Sequence, residues 1–313
     1  MDCLDFSVIV LCYNPNYESL IKTIVSIIKQ KEVSFEIIIC DDGSRLNYES
    51  KLKRWFSEHS FSTPVKYVFN QENRGTIINY LSGIQVADGK YIKPISPGDY
   101  LFDSHTLELY KNIFKSTKSD IVFSDAVYYS NDAIVKKRQY PETSLIFNTD
   151  KLPELYCIYG FYFLGATICA TKRVLVKYLN IVEGKVLYLE DYSMMTMALL
   201  DGTCINGVER PCIWYEYGDG ISTNSKGNKR INDDSETMRT MLSNLYPENE
   251  IVKKMLIFND IRLKSGIKKY IGYLIHFPQF YYLKVCSKTI YKQKKYHISI
   301  DEMNKMISLE KRK

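Results

Sequence analysis

Two β-branched apolar runs, Phe6 to Cys12 (FSVIVLC) and Phe35 to Cys40 (FEIIIC), with a helically spaced stretch between them, constrain this chain more than any other feature. Runs without regular polar alternation belong to strands buried on both faces, as in parallel sheets covered by helices. Tyr13-Asn14-Pro15-Asn16 breaks the first run, and Asn16 can cap the helix that follows, where Leu20, Ile24, Ile27 and Ile28 recur at helical spacing. The order then repeats. A helix from Tyr48 to Ser60 leads to a strand at Val65 to Phe69. A helix carrying Ile77, Ile78, Leu81 and Ile84 leads to a strand at Tyr91 to Ile95, and one over residues 104–115 to a strand at Ile121 to Tyr129. Such alternation requires right-handed crossovers and predicts an α/β fold, a Rossmann-like, mostly parallel sheet flanked by helices.

Open sheets of this kind hold ligands outside the carboxyl ends of their strands. Here those ends are acidic. The second strand closes on Asp41-Asp42-Gly43-Ser44, and the strand at Tyr91 runs into Ser96-Pro97-Gly98-Asp99. No Gly-x-Gly-x-x-Gly follows the first strand, so the dinucleotide fingerprint is missing. Carboxylates in place of glycines favour a site that binds base and ribose directly and holds a metal against the phosphates. The same residues also make ordinary turns, with an Asp free to cap the next helix. Lys93, just upstream, is positioned either to offset phosphate charge or to face solvent. The middle third, residues 136–184, is less periodic and carries an aromatic segment, Tyr156 to Phe163, leading into Leu164-Gly165-Ala166-Thr167. Glu190-Asp191 then precedes a Met- and Leu-rich helix from Met194 to Leu200, as a capping pair or as a general base facing the same crevice.

The eight cysteines show no Cys-x-x-Cys spacing and sit mostly in apolar runs, which predicts free thiols in a reducing compartment. No charged and apolar leader opens the chain, and no apolar run reaches the roughly 18 residues a membrane span needs. A cytoplasmic protein, peripheral on the inner face of the cell membrane, is expected. Residues 251–313 hold 15 basic against 4 acidic residues, leaving 27 basic and 32 acidic in the rest. Helices are expected at Ser235 to Leu245 and Glu248 to Lys264, followed by an aromatic and basic segment from Lys268 to Lys295. Basic clusters interleaved with aromatics suit an anionic bilayer surface, and no nucleic-acid motif accompanies the charge.

Taken in order, the motifs resemble family 2 of the inverting glycosyltransferases, with the A-type glycosyltransferase fold. The matching elements are Cys12-Tyr13-Asn14, Asp41 to Ser44, Asn73-Arg74-Gly75, Gly89 to Ile92, the metal turn Ser96 to Asp99, and Glu190-Asp191. Tyr215-Glu216-Tyr217-Gly218-Asp219-Gly220-Ile221-Ser222 resembles the loop that closes over the donor. The likeness covers residues 5–223 and implies a catalytic domain over 1–225, with a helical, basic region over 226–313.

The resemblance implies transfer of a sugar from a nucleotide diphosphate sugar, a UDP-sugar, to a hydroxyl of a growing cell-envelope polysaccharide or glycoprotein glycan, free or lipid-linked. It makes Asp191 the base and Glu190 its orienting or acceptor-binding neighbour. Leu11, Tyr13, Asp41, Asp42, Asn79, Ser96 and Asp99 fall on nucleotide-binding positions, with Asp99 on the metal. Most members carry Asp-x-Asp-Asp at the metal turn, whereas this chain keeps only the last acid. A weakly bound, water-rich manganese or magnesium ion is therefore expected. The eroded turn keeps a rival in play: a non-catalytic member that partners an active transferase. A nucleotidyltransferase is disfavoured, because the Gly-rich, Lys-containing first loop such enzymes use is absent.

Overall fold

The computed structural model describes residues 4–131, 133–136, 151–160, 163–218, 225–283 and 298–309. Among them, nine strands form one sheet: β1 (Phe6–Cys12), β2 (Phe35–Asp41), β3 (Val65–Phe69), β4 (Tyr91–Ile95), β5 (Tyr100–Leu101), β6 (Ile121–Ser130), β7 (Ala133–Lys136), β8 (Cys169–Thr171) and β9 (Ile205–Glu216). Spatial order is β3-β2-β1-β4-β8-β6-β9-β5, with β7 on the flank of β6. β3, β2, β1 and β4 run parallel, as the strand and helix alternation requires; β8 reverses direction between β4 and β6.

The two-faced apolarity of β1 and β2 has the expected cause. Phe6, Val8 and Val10 pack on one side with Leu20, Ile24 and Ile27 of α1 (Tyr17–Ile28), together with α4 (Thr106–Thr117). Ile9, Ile38 and Cys40 pack on the other with Ile77 and Ile84 of α3 (Thr76–Val86). Asn16 caps α1 by accepting from the Ser19 amide at 3.1 Å. A shorter helix, α2 (Glu49–His59), links β2 to β3. Register places Cys12 beside Asp41 and Val10 beside Ile95, so the turns after β1, β2 and β4 emerge together at one edge.

The described part of the middle third, residues 151–160 and 163–184, is more regular than its sequence, while 137–150 and 161–162 lie outside the described residues. It contains α5 (Leu152–Cys157), a single 3-10 turn at Gly165–Thr167, β8 and α6 (Lys172–Val182) before α7 (Glu190–Leu200). β8 has only three residues, too few to show a period. β9 also escapes sequence reading, because Glu209-Arg210-Pro211 interrupts its apolar run and its register against β6 shifts at Ser124 and Asp125.

C-terminally, α8 (Ser225–Leu245) begins ten residues earlier than its apolar pattern suggests. Its buried stripe reads Asp234, Met238, Leu242, and a carboxylate in the first position hides the period. α9 (Glu250–Leu263) follows as expected, and α10 (Ile267–His276) opens the aromatic and basic segment, whose residues 284–295 lie outside the described part. Met238, Leu242, Val252 and Met255 join the same apolar cluster as α3, α6 and α7. No helix of the described residues is long and apolar enough to cross a membrane.

Candidate active site

At the carboxyl edge of the sheet lies a cavity of about 710 Å³. Leu11 and Tyr13 reach it from β1, Asp42 from the end of β2, and Asn79 from α3. Ser96 and Asp99 line it from the turn after β4, and Glu190 and Asp191 from the start of α7. Asp41 is placed elsewhere. Its carboxylate accepts from the Ser44 amide at 2.8 Å and the Ser44 hydroxyl at 2.6 Å, and it is not among the cavity's lining. Ser44 Oγ in turn accepts from the Asn14 amide at 2.7 Å, so Asp41 and Ser44 stitch the second turn to the first.

Asp42 holds the neighbouring loop. It accepts from the Arg74 and Gly75 amides at 3.0 and 2.9 Å, fixing the entry to α3. Gly43 makes this fit possible: its φ is +70°, and a Cβ there would stand 2.4 Å from the Glu72 carbonyl carbon.

The central turn is held from behind. Thr23 Oγ1 donates to the Asp99 carbonyl at 2.9 Å and accepts from the Gly98 amide at 3.1 Å, while the Tyr129 hydroxyl donates to the Gly98 carbonyl. Neither Thr23 nor Ser26 was singled out from the sequence, where they stand as polar residues on the apolar face of α1; Ser26 Oγ accepts from the Leu101 amide at 3.2 Å. Lys93 neither lines the cavity nor faces solvent. It is fully buried, and its ammonium donates to the Pro94 carbonyl at 2.9 Å and to that of Ala166. Burial lowers its pKa to about 8, against the pull of nearby Cys169 and Asp99.

Asp99 has a carboxylate neighbour that motif reading did not assign to it. Glu216, at the end of β9, donates its amide to Asp99 Oδ1 at 3.1 Å. Its side chain passes so close to Gly98 (φ +98°) that a Cβ there would meet Glu216 Oε2 at 2.0 Å. Burial pushes the Asp99 pKa up to about 7, the Glu216 amide and Lys93 oppose this, and the Glu216 charge adds to it. Glu216 was legible only as part of the donor-loop likeness, whose residues 219–222 lie outside the described part.

Lining the same cavity as this turn, Glu190 and Asp191 are an adjacent pair of acids. Burial raises the Glu190 pKa to about 8, with the Asp191 charge next in weight and Asp234 contributing. Glu190 Oε2 is buried without a hydrogen-bond partner among the described residues. Asp191 is also raised by burial, although the Tyr192 amide, 2.6 Å from Oδ1, and the Gly165 amide draw it down. Gly165 gives the 3-10 turn this approach, since a Cβ would come within 2.8 Å of Asp191 Oδ2.

The segment leading to the pair is clamped from two sides. The Ile77 amide donates to the Leu187 carbonyl at 3.3 Å. From α8, buried Asp234 accepts from the Leu187 amide at 3.2 Å and the Tyr188 amide at 2.7 Å. Asp234 is thus a positioning residue that nothing in the motifs marks. Asp234→Asn is expected to lower kcat about tenfold with little change in donor KM, because losing the charged acceptor loosens the segment that carries the pair. The sign of its pH effect follows from repulsion: without the Asp234 charge, Glu190 releases its proton more readily, so the alkaline limb of kcat, set by the loss of that proton, should move to lower pH. A pH profile of kcat separates this from general destabilisation.

Among the described residues, no group of three or more His, Cys, Asp or Glu could hold a metal. Asp99 and Glu216 are two oxygen donors of the kind a hard divalent cation takes, and a cation there would oppose the burial and, to a lesser degree, the Glu216 repulsion that raise the Asp99 pKa. The residues therefore fit such an ion only where phosphate and water oxygens complete its shell.

The comparisons agree with this geometry. The family model described as glycosyl transferase family 2 matches residues 7–172. A cholesterol galactosyltransferase of Borreliella burgdorferi is 25% identical over 301 residues, covering 91% of this chain and 78% of that protein. The crystal structure of S. aureus TarS 1–349 superposes with a TM-score of 0.59 at 17% identity, covering 94% of this chain and 93% of that one. Its complex with UDP-GlcNAc gives 0.61 at 16% identity, over 90% and 81%. These two are likenesses of fold. With more than half its length matched by the family model, the chain belongs to glycosyl transferase family 2 and is a glycosyltransferase.

Proposed function

We propose that this glycosyltransferase moves a sugar, with inversion, from a UDP-sugar to a hydroxyl of a glycan or a lipid-linked acceptor. One observation carries the reading: the Asp99 turn and the Glu190–Asp191 pair line the same cavity, so a leaving diphosphate and an attacking hydroxyl would both find partners there. Leu11, Tyr13, Asp42 and Asn79 supply an apolar and polar wall suited to a nucleoside. The TarS complexes with UDP-GlcNAc and with UDP support uridine as the nucleoside. The sterol acceptor named for the Borreliella relative supports a hydroxyl presented by a lipid as well as one on a glycan.

In this reading Asp191 accepts the proton of the incoming hydroxyl, and the Tyr192 and Gly165 amides favour its charged form against the effect of burial. Glu190, whose pKa burial raises to about 8, lines the same cavity beside Asp191 and serves as a protonated donor to the acceptor or the sugar. Asp99 and Glu216 would hold the divalent ion, which when bound offsets charge on the leaving diphosphate. A base on the face opposite the leaving group produces inversion. Retention of both Glu190 and Asp191 at the cavity weighs against the scaffold reading.

Isothermal titration of UDP and GDP, with and without manganese, tests the donor site. Tighter UDP binding with manganese is expected, and no nucleotide binding under any condition would sink the proposal. The anomeric configuration of the first product, read by NMR, tests inversion.

A further inference from the structure

α10 is fastened along one side. Tyr273 is buried, and a Cβ on Gly272 would stand 3.0 Å from Ile261 Cγ2 of α9. The rings of Tyr273, Phe277 and Phe280 surround Phe258, at centroid distances of 4.9, 5.1 and 5.2 Å. The opposite side carries Ile267, Tyr270, Ile271, Leu274 and Ile275, all between 47% and 73% exposed. Their spacing is that of a helix stripe facing a core, here turned to solvent. Leu263 and Tyr282 are exposed as well, at 75% and 71%. Single exposed apolar side chains are ordinary, but a contiguous set on a well-packed helix marks an interaction surface. Arg262, Lys264 and Lys268, all exposed, border it, and no ion pair engages them among the described residues.

We infer that α10 is a membrane-docking helix that lies in the interface of an anionic bilayer, apolar side down, with the basic border against lipid phosphates. At ten residues it spans about 15 Å, far too short to cross a bilayer but sufficient to lie within its surface. Tyr270 suits the headgroup level, where aromatic rings with a polar tip collect. The basic border decides between lipid and a second copy of the chain. A two-fold contact through this stripe would set like charges against each other, whereas anionic headgroups complement them. Arg262 also lines the catalytic cavity, so docking through α10 would bring one end of that cavity to the bilayer. Access of a lipid-borne acceptor rests on the transfer reading above; the docking itself does not.

Flotation of the full chain with phosphatidylcholine vesicles, with and without about one-third phosphatidylglycerol, tests the inference. The wild type should float with anionic vesicles and much less with neutral ones. Ile271→Ser combined with Leu274→Ser should weaken flotation about tenfold or more. Lys264→Glu combined with Lys268→Glu should remove the preference for anionic lipid. All these positions are exposed, so unchanged circular dichroism and unchanged UDP titration serve as folding and donor-site controls. Wild type that stays with the unfloated protein, or Ser variants that float as well as wild type, overturns the inference. So does a dimer, seen by light scattering, that the Ser substitutions dissolve.

Discussion

Asp191→Asn is expected to lower kcat about 1,000-fold while UDP titration and the melting temperature stay close to wild type. The amide keeps the size of the side chain and, with its oxygen at the Oδ1 position, the acceptor for the Tyr192 amide at the start of α7. What disappears is the ability to take a proton. The change also removes the charge that helps raise Glu190, so the remaining carboxyl should titrate lower than its present value of about 8. The residual activity should therefore have its alkaline limb, set by the proton on Glu190, displaced toward lower pH. A variant that keeps more than a tenth of wild-type kcat would remove Asp191 from the role of base and pass it to Glu190. In that case Glu190→Gln should show the large loss instead. Measuring both variants against pH distinguishes the two carboxyls even though they titrate as a pair.

The second large effect belongs to the central turn. Asp99→Ala should abolish the manganese-dependent part of UDP binding and lower kcat/KM at least about 100-fold, with metal-free UDP binding left in place. Its backbone should survive the change, because Thr23 and Tyr129 hold the turn through the Gly98 amide and the Gly98 and Asp99 carbonyls. Lys93 would lose one favourable charge but keep both carbonyl partners. Glu216 would lose the acceptor of its amide, so Glu216→Gln is the informative companion. If Glu216 shares the ion, Glu216→Gln should weaken the metal dependence while leaving the Asp99 carboxylate in place; if it only buttresses Gly98, manganese should act as in wild type. Titration of UDP at several manganese concentrations on all three proteins separates these outcomes. Equal manganese dependence in wild type and Asp99→Ala would place the ion elsewhere and remove Asp99 from the metal.

What the chain determined by itself is the part whose causes are local. β1 to β4 and β6, all but its last residue, could be read because strands buried on both faces need apolar residues at nearly every position, whatever their neighbours are. The turns after β1, β2 and β4 were legible for a related reason, since Pro, Gly and Asp interrupt such runs only where the backbone leaves the sheet. Eight of the nine candidate residues consequently line one cavity. Asp41 shows the limit. Asp41 and Asp42 are adjacent and chemically identical, but side chains alternate along a strand, so one serves the Ser44 turn and the other the entry to α3. Only the pleat and its neighbours could assign them. The same holds for Lys93, whose burial depends on the carbonyl of Ala166, and for Glu216, which reaches Asp99 because β9 threads between β6 and β5. Asp234 and the exposed side of α10 are decided in the same way. An acid in an apolar stripe and an apolar stripe turned outward take their meaning from what packs opposite, and that is set by the tertiary structure alone.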